Sequence, residues 1–241
     1  MPLHTVLMRE ERIAGIPAIH AAPAEAFDQP LPTVFFHHGF TSSKELSAFF
    51  GYMLAQAGLR AVLPEADGHG ARFDGDAPAR LGRFWHILRR SIEELPALQA
   101  HCVSQGWTLS DRMAVAGSSM GGFVALGCMV QDPALRAGAC FMGSGYFDTL
   151  AQTLYPPAAR IALDDIDPSR HLARLVDRPL YVWHGACDPT VPFTHAQALC
   201  SALQSSSRHC PPVFEADTQA EHKIPMAAAV AGVRFLHTAL R

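Results

Sequence analysis

Apolar positions along the chain alternate between two rhythms. Short runs bounded by proline, glycine or charge read as strands at residues 33–38, 60–64, 112–116, 138–142, 180–184 and 213–216, with the apolar 33–38 and 180–184 read as buried. Longer stretches with helical spacing lie between them, at 43–57, 79–105, 120–131, 193–206 and 225–240. Pro96 predicts a kink or split in the longest of these. Pro225 stands at the first turn of the last one. Near the start, residues 3–9 and 16–21 read as a hairpin around Ala14-Gly15. Strands separated by helices imply βαβ units, hence an α/β domain with about eight strands in a mostly parallel sheet covered on both faces. No repeat or linker divides the chain, so residues 1–241 read as one domain. The rhythm fails over residues 143–178, which hold Pro156-Pro157 and Asp164, Asp165 and Asp167. Residues 144–172 therefore read as a short lid inserted over the sheet edge.

Composition narrows the classes. With 241 residues, 49% of them hydrophobic and 17% charged, the chain buries a large core and is not disordered. A net charge of -3 leaves no basic footprint for nucleic acid or an anionic membrane. Residues 113–131 carry no charge, yet Gly117-Ser118-Ser119-Met120-Gly121-Gly122 interrupts them, so they predict strand, turn and helix and no membrane span. The six cysteines form no C-x-x-C pair and suggest buried thiols in a reducing cytoplasm. The first fifteen residues lack a basic start followed by an apolar core, so they do not read as a signal peptide. Thirteen histidines raise the question of a metal, but no H-E-x-x-H or clustered Cys/His spacing occurs. Gly68-His69-Gly70 is no dinucleotide fingerprint, and there is no P-loop. No metal or cofactor is expected.

The informative residues are Gly117-Ser118-Ser119-Met120-Gly121, a G-x-S-x-G directly after an apolar strand and directly before a helix. A strand that turns at once into a helix holds the central residue in a strained, exposed conformation, and side chains two positions away on either side would collide. Ser119 is then a candidate nucleophile, and the Met120 N–H faces developing charge at a helix start. Ser118 fails the same test, because Ala116 and Met120 flank it. A serine needs a base, and the base needs an orienting acid. Among the later histidines, His222 occupies the loop between the last strand and last helix, at the same sheet edge as Ser119. His195 and His237 sit inside helices, His184 ends a strand and His209 precedes one. Asp188, after the strand 180–184, is the candidate acid, with Asp217 as the alternative. A second oxyanion amide is expected after the strand 33–38, at Gly39-Phe40, with Phe40 as donor. His38 reads as a structural histidine, and Arg72 and Asp74 read as loop-closing ion-pair residues.

Taken together, HHGFTSSKE, ADGHGARF, GSSMGG, MGSGYF, HGACDPTVP and EHKIP resemble small bacterial carboxylesterases of the YjfP type. These are α/β-hydrolases near the dienelactone-hydrolase and prolyl-oligopeptidase groups. The resemblance spans residues 10–240 and implies Ser119 as nucleophile, Asp188 as acid, His222 as base, and Phe40 and Met120 as oxyanion donors. Dienelactone hydrolases carry a cysteine nucleophile, so Ser119 argues against that activity. The expected reaction is hydrolysis of small or short-chain carboxylic esters through an acyl-enzyme. The alternatives are a thioesterase, lactonase, amidase or peptidase with the same three residues, or a silent binding protein on the same fold. Tyr146, Phe147 and Leu150, with Leu154 and Tyr155, are the candidate acyl-site residues. The expected partner is a small ester, bound by a monomer or homodimer.

Overall fold

The computed structural model describes residues 4–241. The chain runs β1 (Val6–Ile13), β2 (Ile16–Pro23), β3 (Leu31–His37), α1 (Ala48–Gln56), β4 (Arg60–Pro64), α2 (Ala77–Leu81), α3 (Phe84–Ser104), β5 (Thr108–Ser118), α4 (Met120–Gln131), β6 (Ala137–Phe141), α5 (Phe147–Leu150), β7 (Leu180–Gly185), α6 (Phe193–Ser206), β8 (Val213–Asp217) and α7 (Met226–Ala239). All eight strands join one sheet in the order β1-β2-β4-β3-β5-β6-β7-β8. The pairs β1–β2 and β2–β4 are antiparallel, and every pair from β4 to β8 is parallel. The parallel strands are joined by helices, as parallel pairing requires.

Side-chain alternation along the strands feeds two cores, one on each face. Phe35, Val62, Val115, Cys140 and Val182 face α3, α4 and α6, and meet Trp85, Leu88, Phe123, Leu126 and Leu199. Val34, Phe36, Leu63, Ala116, Phe141 and Trp183 face α1 and α7, and meet Phe50, Leu54, Ala229 and Leu236. Burial on both faces explains why these strands read as continuous apolar runs.

Several boundaries differ from the expectation. The hairpin pairs Ile13 with Ile16 across Ala14 and Gly15, both at positive φ; the expected first residue, Leu3, lies outside the described residues. β5 begins four residues early, at Thr108, because Thr108 pairs with Leu31 across a register shift that absorbs the polar Asp111 and Arg112. Residues 44–47 of the expected 43–57 helix form turns, and α1 starts at Ala48. The expected split at Pro96 does not occur. α3 runs through Pro96 because Ile92, Leu95 and Leu98 on either side are all packed in the core. The break falls instead at Gly82-Arg83, between α2 and α3; at the other end of α2, Asp76 caps it by accepting from the Ala79 N–H at 2.9 Å. Residues 143–179 contribute only α5 and short 3-10 turns at Pro168–Arg170 and Leu172–Arg174. They are anchored to α3 through the Trp85 Nε1–H, which donates to the Leu154 carbonyl at 3.0 Å, and the Arg89–Asp165 pair at 2.8 Å.

Candidate active site

Four corners at the carboxyl ends of the parallel strands meet above the sheet. The sharpest joins β5 to α4. Ser119 holds φ 53° and ψ −120° there, a strained conformation for a residue with a side chain, at a cost of about 1–3 kcal/mol. Its own N–H donates to the Phe141 carbonyl at 2.8 Å, and its carbonyl accepts from Gly122 N–H at 2.8 Å, so the turn is held from both sides. The flanking glycines are steric necessities. A Cβ on Gly117 would stand 2.2 Å from the Gly121 carbonyl oxygen, and one on Gly121 would stand 1.9 Å from the His37 carbonyl oxygen.

The corner after β7 carries Asp188, whose side chain is fully buried. Its Oδ1 accepts from Thr190 N–H at 2.8 Å and Val191 N–H at 2.9 Å. Its Oδ2 lies 2.6 Å from His222 Nδ1 and 3.2 Å from His184 Nε2. Burial alone raises the acid's pKa. The hydrogen bonds from His184, His222 and the two amides outweigh it and hold the carboxyl well below the usual carboxylate range. Asp188 is therefore an anion.

His222 arrives on the loop after β8. That loop is braced against the Asp188 corner: Ala186 N–H donates to the Asp217 carbonyl at 2.8 Å and Cys187 N–H to the Ala220 carbonyl at 3.0 Å. A carboxylate only accepts, so His222 Nδ1 carries the proton and donates it to Asp188. Nε2 is left with its lone pair, 2.8 Å from Ser119 Oγ. Asp217, the alternative acid, is occupied elsewhere. Its Oδ1 accepts from Gln219 and Ala220 N–H groups at 2.9 and 3.2 Å, so it shapes the turn that delivers His222.

The corner after β3 carries Gly39 and Phe40. An ideal Cβ on Gly39 would lie 3.4 Å from Ser119 Cβ, which sets this turn against the serine. Among the described residues the Phe40 N–H meets no acceptor. The Met120 N–H opens the first turn of α4, where no intrahelical carbonyl reaches it. His38 is buried and structural: its Nδ1–H donates to the Gly39 carbonyl at 2.8 Å, and its Nε2 accepts from Ala66 N–H at 3.0 Å.

A cavity of about 150 Å³ opens beside Ser119 and His222. Phe40, Phe84, Phe123, Leu154, Tyr155, Thr190 and Val191 line it. Leu154 and Tyr155 thus stand where the sequence put them, but Tyr146, Phe147 and Leu150 do not. Phe147 and Leu150 are buried in the core, and Tyr146 packs its ring 5.1 Å from that of His195. The short α5 packs Phe147 and Leu150 into the core, and the cavity wall comes from the irregular turn beyond it. Phe84 and Phe123 gave no sign in the sequence, because a helix residue under the cavity reads like any other core position. Arg72 and Asp74 do close the 65–76 loop, each with a separate partner. Arg72 grips Glu94 at 2.9 and 2.8 Å, and Asp74 pairs with Arg83 at 3.1 Å. Among the described residues no three His, Cys, Asp or Glu side chains are arranged to hold a metal ion, and no helix is long and apolar enough to cross a membrane.

The order serine, acid, histidine along the chain, with the serine at a strand–helix elbow, separates this arrangement from chymotrypsin-like and subtilisin-like ones. With the eight-stranded sheet it defines an α/β-hydrolase. Residues 52–235 match the prolyl oligopeptidase family, and the chain belongs to that family. It is 41% identical to esterase YjfP of Escherichia coli (strain K12), over 95% of this chain and 97% of that one. Among solved structures, TT1662 from Thermus thermophilus superposes with a TM-score of 0.80 at 20% identity, covering 98% and 99% of the two chains. An S-formylglutathione hydrolase from Agrobacterium tumefaciens superposes with a TM-score of 0.71 at 17% identity, covering 98% and 95%. The family read from the sequence motifs is the one these relatives define.

Proposed function

We propose that this protein is a serine carboxylesterase acting on small or short-chain esters, with Ser119 as nucleophile, His222 as base and Asp188 as the orienting acid. The observation that carries this reading is the continuous chain of hydrogen bonds from Asp188 Oδ2 through both nitrogens of His222 to Ser119 Oγ, at 2.6 and 2.8 Å. The 41% identity to an esterase along nearly the whole chain supports it. His222 Nε2 takes the proton of Ser119 as Oγ attacks the ester carbonyl. Amides of Phe40 and Met120 receive the oxyanion. His222 then returns the proton to the leaving alcohol, and water repeats the sequence on the acyl-enzyme. A base so placed is worth about 10²–10⁴-fold, and each oxyanion donor about 10²–10³-fold.

The cavity of about 150 Å³ is small beside the roughly 300–1,000 Å³ of typical ligand pockets, and it favours short acyl groups. Residues 144–172 act as its short lid, through Leu154 and Tyr155. One chain supplies every group of the site. The free cysteines suit a reducing cytoplasm. Ser119→Ala abolishes turnover of p-nitrophenyl acetate and labelling by a fluorophosphonate, with an unchanged unfolding midpoint. Full activity in that variant refutes the assignment.

A further inference from the structure

The loop bearing Phe40 is a tight turn, closed by the Ser42 N–H donating to the Gly39 carbonyl at 3.2 Å. Thr41, directly after Phe40, holds φ 61°, a left-handed conformation that costs a β-branched residue dearly. Contacts from outside the loop add to that one long turn bond. The neighbouring loop after β4, residues 65–70, supplies them through the side chains of His69 and Glu65. The Thr41 N–H donates to His69 Nε2 at 3.0 Å, and His69 Nδ1–H donates to the Asp67 carbonyl at 2.8 Å. The two bonds fix the tautomer: Nε2 must be bare to accept from Thr41. The imidazole is fully buried and packs edge-on against the ring of Phe40 at 5.3 Å and that of His38 at 5.2 Å. It therefore touches His38, Phe40 and Thr41 together.

The surroundings keep this ring neutral. Burial, above all, lowers its pKa to about 4; the Asp67 carbonyl and Glu65 oppose this, while His38 and Arg80 add to it. Beneath it, Glu65 Oε1 accepts from the Lys44 N–H at 3.2 Å, pinning the far end of the same loop. Gly70 is required for that: at φ +43°, any Cβ there would fall 2.0 Å from Glu65 Oε2.

We infer that His69 is a positioning residue for catalysis, holding the Phe40 amide at the oxyanion through its hydrogen bond from Thr41. The inference rests on the esterase reading above. It makes a demand that a merely structural histidine would not: the residue at 69 must present a hydrogen-bond acceptor at the position of Nε2. A glutamine carboxamide oxygen reaches that position. An asparagine oxygen stops short of it, and leucine has none.

The test compares His69→Gln, His69→Asn and His69→Leu on p-nitrophenyl acetate and on its thionoester analogue, in which sulfur replaces the carbonyl oxygen. Sulfur accepts hydrogen bonds weakly, so the ester-to-thionoester rate ratio reports on the oxyanion donors. The ratio is independent of how much of each preparation is folded. His69→Asn and His69→Leu lose about 10- to 100-fold in kcat on the ester, with KM within about threefold, and the ratio falls by about tenfold or more. His69→Gln keeps kcat and ratio within about threefold of the parent. The inference is overturned if the ratio is unchanged in Asn and Leu, or if Gln loses as much as Asn. Should Leu fail to fold, the Asn–Gln pair still decides. Ser119→Ala, run alongside, separates the two levels. Its inactivity together with an unmoved ratio sinks only the role of His69, whereas retained turnover sinks the esterase reading as well.

Discussion

Replacing Asp188 by asparagine tests the site at the bond on which the tautomer of His222 depends. In the parent, both lone-pair regions of the carboxylate are engaged. Oδ1 accepts two backbone amides at 2.8 and 2.9 Å, and Oδ2 accepts His222 Nδ1–H at 2.6 Å. An asparagine carboxamide keeps its oxygen on the two amides, because its NH₂ group cannot accept there. The NH₂ is thereby turned toward His222 Nδ1, donor against donor. The imidazole relieves the clash by moving its proton to Nε2, which then meets Ser119 Oγ as a donor and no longer accepts its proton. The geometry survives while the base is lost. The same change in a serine protease triad costs about 10⁴-fold in kcat, equivalent to about 5.4 kcal/mol of transition-state stabilisation. We expect a loss of that order for kcat on p-nitrophenyl acetate, KM within a few-fold, and an unfolding midpoint within a few degrees of the parent. Steady-state kinetics with active-site titration measures it. A variant within tenfold of parental kcat would show that His222 is not oriented by Asp188, and the proposed division of labour would fail.

The cavity and the buried histidines each support another prediction. Tyr155→Ala removes one wall of the 150 Å³ cavity and shifts preference toward longer chains, by about fourfold in kcat/KM for each methylene newly accommodated. A p-nitrophenyl ester series from acetate to octanoate reads this out, and an unchanged profile would place the acyl group elsewhere. Burial drives the pKa of His20 and of His37 down to about 3, with Arg60 and Arg9 adding to the effect at His20 and His38 at His37. The unfolded chain takes up these protons near pH 6.5 and the folded one does not, so stability is complete above pH 6.5 and falls as pH drops toward 3. Each histidine contributes a slope of about 1.4 kcal/mol per pH unit. Urea unfolding at pH 7, 6 and 5 checks it, and a flat stability over that interval would refute the assignment.

How much of this was legible in the chain itself depends on the range of the interaction involved. The elbow at Ser119 was, because its constraint is local: a strand, a reversal and a helix within five residues leave no room for side chains at 117 and 121, and glycine records that in the sequence. Asp188 and His222 were legible for a related reason. Each sits in the loop after a strand, and parallel strands bring all such loops to one edge of the sheet. The choice between Asp188 and Asp217 could be argued from position alone, but the reason lies in hydrogen bonds. Both accept two amides of their own turns through Oδ1, and only Asp188 has its second oxygen turned to His222. The cavity proposed for the acyl group was half legible. Tyr155 and Leu154 were flagged with their segment, while Phe84 and Phe123 come from two helices and become neighbours of Ser119 only once both pack on the sheet.

Gly68-His69-Gly70 shows the same limit from the other side. As a string it fits a flexible turn, and nothing within it points to Phe40, nearly thirty residues earlier. Its meaning comes from the pairing of β3 with β4, which brings the loops at their carboxyl ends together. The strain at Thr41 and the bond from its amide to His69 are then two ends of one tertiary fact. Strain of that kind persists only where surrounding structure over-determines the backbone. The loop proposed to offer its amide to the oxyanion is thus held by a residue outside the cavity lining.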